Sequence, residues 1–412
     1  MKNFLKKLGP GLVTGASDDD PSGIATYSQA GAQFGFATLW TALLTFPLMA
    51  SIQEMCARIG LVTNAGLTGT LKKHYPKWFL LTMVCFSTPP IILNIGADIA
   101  GMGAVMHMLL PQVKSVYFSV FFTGILTILI IYLPYPTIAK TLKYLCLSLL
   151  VYLIVPFLTK TSLSEILKHT FIPSFQLNKD FIGILVAIFG TTISPYLFFW
   201  QATMTAEEQE QKPGKIFVNK RILEDVKADV NTGMLFSNLV MYFIILTAGS
   251  VLFSHGIHRI DTVEQAAQAL EPIAGKLAYL LFAVGVVGTG LLTIPVLAGS
   301  LSYIYSEAFG WKGSLNKTFG QAKSFYSVIV ISLLLGLIIN YTGLSPIKVL
   351  FYSAILYGIT APVMILVVLH IANNKKIMKQ YVNSRRANIM GWITFGIMTL
   401  AALFLLYTSI TN

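Results

Sequence analysis

Three consecutive acids and a proline, Ser17-Asp18-Asp19-Asp20-Pro21-Ser22-Gly23, lie in the middle of an otherwise apolar run. Ionised carboxylates in such surroundings are very costly unless they line a cavity or are paired. The same segment carries a reason to leave the helix, because proline removes a backbone donor and glycine favours non-helical backbone. A second run, Gly190-Thr191-Thr192-Ile193-Ser194-Pro195, interrupts another apolar stretch. Carbonyl ends freed by such interruptions carry partial negative charge and favour cations. A further acid, Asp98, sits one turn after Asn94 in a stretch without lysine or arginine. An acid-rich break repels anions, so these residues point to a site for a positive ion.

The elements that position them are membrane spans. The chain has 412 residues, 55% hydrophobic and 11% charged, against about 25% charged in soluble domains. Its apolar residues form blocks long enough to cross a hydrocarbon core of about 30 Å. Eleven spans are predicted, at 8–33, 37–60, 79–110, 116–134, 141–159, 181–206, 229–254, 275–306, 325–342, 347–371 and 389–410. The two interruptions fall in spans one and six. Five is odd, so spans 1–5 and 6–10 have opposite orientations in the membrane. Matching breaks in inverted halves mark the substrate site of a transporter. The expected organisation is an all-α integral membrane protein with repeats at 8–160 and 181–371 and an extra helix at 389–410.

Charge placement orients it. Seven basic residues, Lys114, Lys160, Lys168, Lys179, Arg259, Lys276 and Lys348, fall on one side, and the remaining lysines and arginines fall on the side of the N-terminus. Basic residues concentrate in cytoplasmic loops. The expectation is therefore a multi-pass protein of the plasma (inner) membrane, N-terminus cytoplasmic and C-terminus outside. The net charge of +12 belongs to these loops and implies no nucleic-acid partner. Acids interrupt the first apolar run, so it is not read as a cleavable signal peptide. Cys56, Cys85 and Cys146 have no metal-ligand spacing and read as small core residues. Glu54 is expected to pair with Arg58 at i,i+4, the run from Glu207 to Lys227 to be a solvated loop, and Thr262 to Leu270 a short outside helix.

At these residues the sequence resembles the Nramp family of divalent metal transporters. The run from Asp20 to Thr26, continuing through Gly31-Ala32-Gln33-Phe34-Gly35, is similar to the family's first-helix DPGN and GAQFG segments. The stretch Gln53 to Gly60 resembles the end of its second helix, and Gly190 to Tyr196 lies where its A-x-x-M-P-H motif stands. The resemblance covers spans one to ten in order and spacing and implies a LeuT-like fold with helices 1 and 6 broken. Several motif positions differ. Ser22 and Gly23 replace the glycine and asparagine of the first motif; Thr191, Ser194 and Tyr196 replace the alanine, methionine and histidine of the sixth. Asp98 matches an aspartate of the family's proton route, Gly101 replaces the acid one turn on, and Ala354 stands where a glutamine is usual. With Ala298-Gly299-Ser300 and Ser306 to Trp311, this pattern looks like the Nramp-related magnesium transporter branch.

The resemblance implies a metal site of Asp20 and Ser194 side chains with backbone near Gly23 and Thr191, while Asp19 and Asp98 belong to the ion pathway or a proton route. Losing a thioether leaves oxygen ligands, which suit hard cations. Mg²⁺ keeps much of its water and is held by one or two carboxylates, so partly hydrated Mg²⁺ is the expected cargo, with Mn²⁺ competing. The missing histidine and second acid argue for uptake without obligatory proton coupling. The alternatives are a proton-coupled Mn²⁺/Fe²⁺ importer and a sodium-coupled amino-acid symporter of similar architecture. No enzyme activity or cofactor is implied; the partners are the transported ion and the bilayer, and oligomeric state is left open.

Overall fold

The computed structural model describes residues 9–133, 137, 147–159, 162–211 and 218–411. Among these every regular element is helical. The principal helices are α1 (Pro10–Ala16), α2 (Pro21–Phe34), α3 (Trp40–Thr63), α4 (Leu67–His74), α5 (Lys77–Leu109), α6 (Ser115–Tyr132), α7 (Leu163–Phe171), α8 (Lys179–Thr192), α9 (Pro195–Gln211), α10 (Lys220–Val251), α11 (Ala278–Phe309), α12 (Lys323–Ile339), α13 (Pro346–Asn373) and α14 (Arg385–Thr411). Span one is thus realised as α1 and α2, and span six as α8 and α9. The first six residues of span five, with Cys146, and Lys2, Lys6, Lys7, Lys140, Lys143, Lys160, Lys212 and Lys215 of the charge pattern, lie outside the described residues.

Burial separates centre from periphery. The most apolar window of the α8–α9 span is entirely buried, whereas the windows of α6 and α14 are only 28% buried. The outward residues of the latter two, such as Phe121, Leu400 and Leu403, are apolar, as a lipid-facing surface requires. Trp78, Tyr117 and Tyr407 are exposed near helix ends, where amphipathic rings favour the headgroup region.

Close backbone approach holds the central helices together. A Cβ on Gly15 would stand 2.2 Å from the Gly233 carbonyl oxygen, and one on Gly233 would stand 2.0 Å from that of Gly11. Van der Waals packing between small residues is the main attraction available to helices in lipid. Gly190 is equally tight against the Ala354 carbonyl, so α8 and α13 meet beside the second break. Gly290 of α11 lies against Met102 of α5.

Three local expectations change. The Glu207–Lys227 run is largely helical: α9 continues to Gln211 and α10 begins at Lys220, nine residues before its apolar part. Asn219 caps α10 by accepting the Ile222 N–H, and the charged turns continue the helix past its hydrophobic stretch. The buried Arg58 guanidinium donates to Asn383 with Glu54 only in its electrostatic neighbourhood. Cys85 is exposed and Cys56 buried, because α5 turns Cys85 to its outer face. The short helix expected over Thr262 to Leu270 is present as Val263–Ala267, running into a 3-10 turn at Gln268–Leu270, and is started by a Thr262–Gln265 capping box.

Candidate functional site

The two breaks share one backbone feature. In a continuous helix the Ser17 carbonyl would accept the N–H of residue 21, and the Thr191 carbonyl that of residue 195. Both positions are proline, which has no N–H. Both carbonyls are instead taken by hydroxyls. Tyr196 Oη donates to the Ser17 oxygen at 2.9 Å and Thr293 Oγ1 at 3.1 Å. Ser194 Oγ donates to the Thr191 oxygen at 2.6 Å, with the Gly190 oxygen at 3.1 Å.

Asp20 restarts the first helix. It is the N-cap of α2, with Pro21 at the first position, and its Oδ1 accepts the Gly23 N–H at 2.6 Å. A side-chain acceptor at this position satisfies an otherwise orphaned N–H. Ser22 Oγ donates to the same oxygen at 2.9 Å, while Asn94 Nδ2 of α5 donates to Oδ2 at 2.8 Å. Ser353 of α13 in turn places its hydroxyl 2.9 Å from Asn94 Oδ1. A carboxylate has about four acceptor positions. Three are occupied here, and the one left over is on Oδ2.

Asp20, Gly23 and Thr191 come together. A Cβ on Gly23 would lie 3.3 Å from Thr191 Oγ1 and 3.4 Å from Asp20 Oδ1, so the absence of a side chain at Gly23 keeps the two breaks in contact. Ser194 does not join them through its hydroxyl, which is turned back onto its own helix. Asp98 is completely buried one turn after Asn94. Its carboxylate lies near Ser22 and Asp20, and neither oxygen has a partner in hydrogen-bonding geometry. Gly101 faces Pro21 and Leu350, so a longer side chain there would reach the first break.

Asp18 and Asp19 have a different partner from Asp20. They are 1% exposed and turn to Ser237 of α10, whose hydroxyl lies 2.7 Å from Asp18 Oδ2 and 3.3 Å from Asp19 Oδ1. The glycine contacts of α1 with α10 bring this segment against that helix. Among the described residues no three His, Cys, Asp or Glu side chains are arranged to hold an ion together. An ion at Asp20 would therefore be held by one carboxylate with hydroxyl, carbonyl and amide oxygens and water.

A cavity of about 520 Å³ opens at the far end of α2, between α2, α8, α13 and α14. Ala25, Gln29 and Gln33 line one wall and Ile184, Ile355 and Ile359 the apolar body, with Lys179, Arg259 and Lys348 at its rim. At the opposite end two carboxylates tie the starts of helices to their neighbours. Asp229 accepts the N–H groups of Gly9, Gly11 and Leu12, and Glu307 accepts those of Gly66 and Gly69.

The sequence matches the profile of the Nramp family, Natural resistance-associated macrophage protein-like, over residues 11–408. The chain belongs to this family. One Nramp relative, the divalent metal cation transporter MntH of Caldanaerobacter subterraneus subsp. tengcongensis, is 24% identical over all of this chain and 94% of its own length. The manganese transporter of Eremococcus coleocola, solved with an aromatic bis-isothiourea substituted compound, superposes with a TM-score of 0.79 at 17% identity, covering 98% of this chain and 86% of the other. Mhp1, a nucleobase-cation-symport-1 family transporter, superposes at 0.58 with 13% identity, covering 98% and 93%. The two superpositions establish the Nramp, LeuT-like architecture; site chemistry rests on this chain's own residues. Asn94, Ser353, Ser237 and Thr293 were not selected from the sequence as site residues. Only Asn94 carried a signal, as a buried amide one turn from Asp98 on the same helix face.

Proposed function

We propose that this Nramp protein carries divalent metal cations through the membrane by alternating access around Asp20, with Mn²⁺ as cargo. The observation that carries this reading is the spare acceptor on Asp20 Oδ2, held in place by three donors where the two broken helices meet. The Thr191 hydroxyl across Gly23 from Asp20, with backbone carbonyls of the Gly23 segment, would complete an oxygen-only surrounding, which accepts Mn²⁺. The chain's relatives are named as divalent metal cation and manganese transporters, which favours Mn²⁺ over the Mg²⁺ expected from the motif substitutions.

A second reading, partly hydrated Mg²⁺, is favoured by one observation: Ser194 and Tyr196 supply neither thioether nor imidazole where the family motif has both. Hard ligands do not discriminate against an abundant hard ion. Proton coupling also gains support. Asp98 is a buried carboxylate without a hydrogen-bond partner beside the ion site, and an intramembrane acid of this kind suits a relay. This weighs against the uncoupled uptake that the missing histidine suggested.

With the N-terminus in the cytoplasm, the cavity faces outward and the Asp229 and Glu307 contacts close the inner side. Two inverted repeats, 8–160 and 181–371, would rock about the breaks. The test is flux into liposomes containing purified protein and an internal pH dye, with Mg²⁺ and Ca²⁺ as competitors. Asp20→Asn is expected to abolish Mn²⁺ uptake, and wild-type uptake to acidify the lumen. Undiminished flux through Asp20→Asn overturns the site. Flux without acidification overturns coupling alone, and tighter competition by Mg²⁺ than by unlabelled Mn²⁺ selects the second reading.

A further inference from the structure

We infer that Tyr196 and Thr293 are positioning residues that lock the inner half of the first span shut by holding the Ser17 carbonyl. The inference rests on the proposed transport through Asp20. Pro21 makes this carbonyl an orphan, and a carbonyl oxygen has two acceptor positions. Both are filled by hydroxyls from two different helices, Tyr196 at the start of α9 and Thr293 in the middle of α11. All three residues are buried, at 0% exposure for Ser17 and Thr293 and 1% for Tyr196.

The other polar ties of α1 run to α9 and α10. Thr14 donates to Gln201 at 2.6 Å, and Asp229 gathers the N–H groups at the start of α1. The Thr293 bond is the tie to α11, which packs against α5 rather than travelling with α1. Movement of α1 away from α11 and from the start of α9 breaks both bonds to the Ser17 carbonyl. Tyr196 is itself braced by Tyr357 of α13, with ring centroids 5.6 Å apart. The two hydroxyls therefore act on the equilibrium between inner-closed and inner-open states, not on the ion.

The experiment uses full-length protein in inside-out membrane vesicles, with Cys56, Cys85 and Cys146 replaced by serine and a single Thr14→Cys reporter on α1. The rate of modification by an impermeant thiol reagent is compared for the parent, Tyr196→Phe, Thr293→Val, the double variant and Thr293→Ser. Expected are a rise of threefold or more in each single variant, a larger rise in the double variant, and parental behaviour in Thr293→Ser, which keeps the hydroxyl. In the native cysteine background KM for Mn²⁺ presented from outside should rise by a similar factor as the outward-facing population falls. Unchanged labelling in both single variants and the double variant overturns the clamp. If Asp20→Asn also transports normally, the transport reading has failed separately, and the labelling rates still judge the clamp.

Discussion

At Asp20 the two carboxylate oxygens have different tasks. Oδ1 is used up in starting α2, through the Gly23 N–H and the Ser22 hydroxyl. Oδ2 has one tie, to Asn94, and keeps the acceptor position proposed for the ion. Asn94 therefore sets the direction of the free lone pair without being charged itself. Hydrogen bonds to ionised groups contribute about 1.5–3 kcal/mol. Asn94→Ala is expected to leave α2 capped and the protein folded while raising KM for Mn²⁺ by about one order of magnitude or more, the equivalent of that energy. Uptake kinetics in liposomes check this. A KM within twofold of wild type would show that the amide does not orient the carboxylate.

At the scale of helices, the prolines, glycines and acids made the breaks legible. Pro21 and Pro195 each delete a donor, but so do Pro47, Pro89, Pro90, Pro295 and Pro362 inside continuous helices; spans one and six stand out because their prolines lie among acids, hydroxyl residues and glycine. Helix ends were legible wherever hydropathy stops with the helix, as at α13, and illegible at α10, whose first turns are charged. Asp20, Gly23 and Thr191 were legible through the motif. The direction of Asp18 and Asp19 toward Ser237, and of Ser353 toward Asn94, was not, because each depends on which face of a distant helix arrives at the break. That arrival is governed by small residues. Gly15→Ala places a Cβ 2.2 Å from a backbone oxygen that has no flexible end to yield, so α1 must separate from α10. Overpacking of this kind costs about 1–3 kcal/mol. At Gly124 a Cβ meets nothing within 4 Å, and replacing a helical glycine by alanine gains up to about 1 kcal/mol. Thermal unfolding in detergent should therefore fall for Gly15→Ala and hold or rise for Gly124→Ala. Equal shifts in both would show that the glycine contact does not position α1.

For the whole molecule, the charge pattern and the cavity bear on the same question from independent directions. Lys179, Arg259 and Lys348, three of the seven basic residues on the sparsely charged side, stand at the rim of the cavity, while the tightly capped ends of α1 and α4 lie at the other end. The proposed orientation makes this an outward-facing state with its inner side shut. Ile355 of α13 lies in the apolar body of the cavity and is half-buried, two residues after Ser353, so it reports access to the ion site without being one of its ligands. In intact cells, Ile355→Cys should be modified by an impermeant thiol reagent added outside. Tyr196→Phe should slow that reaction, because states open to the inside gain population at the expense of those open to the outside. Modification only in inside-out vesicles would invert the topology. External modification at the same rate in both backgrounds would keep the topology and separate the outer cavity from the inner clamp, leaving the two ends of the bundle without the reciprocal link that alternating access requires.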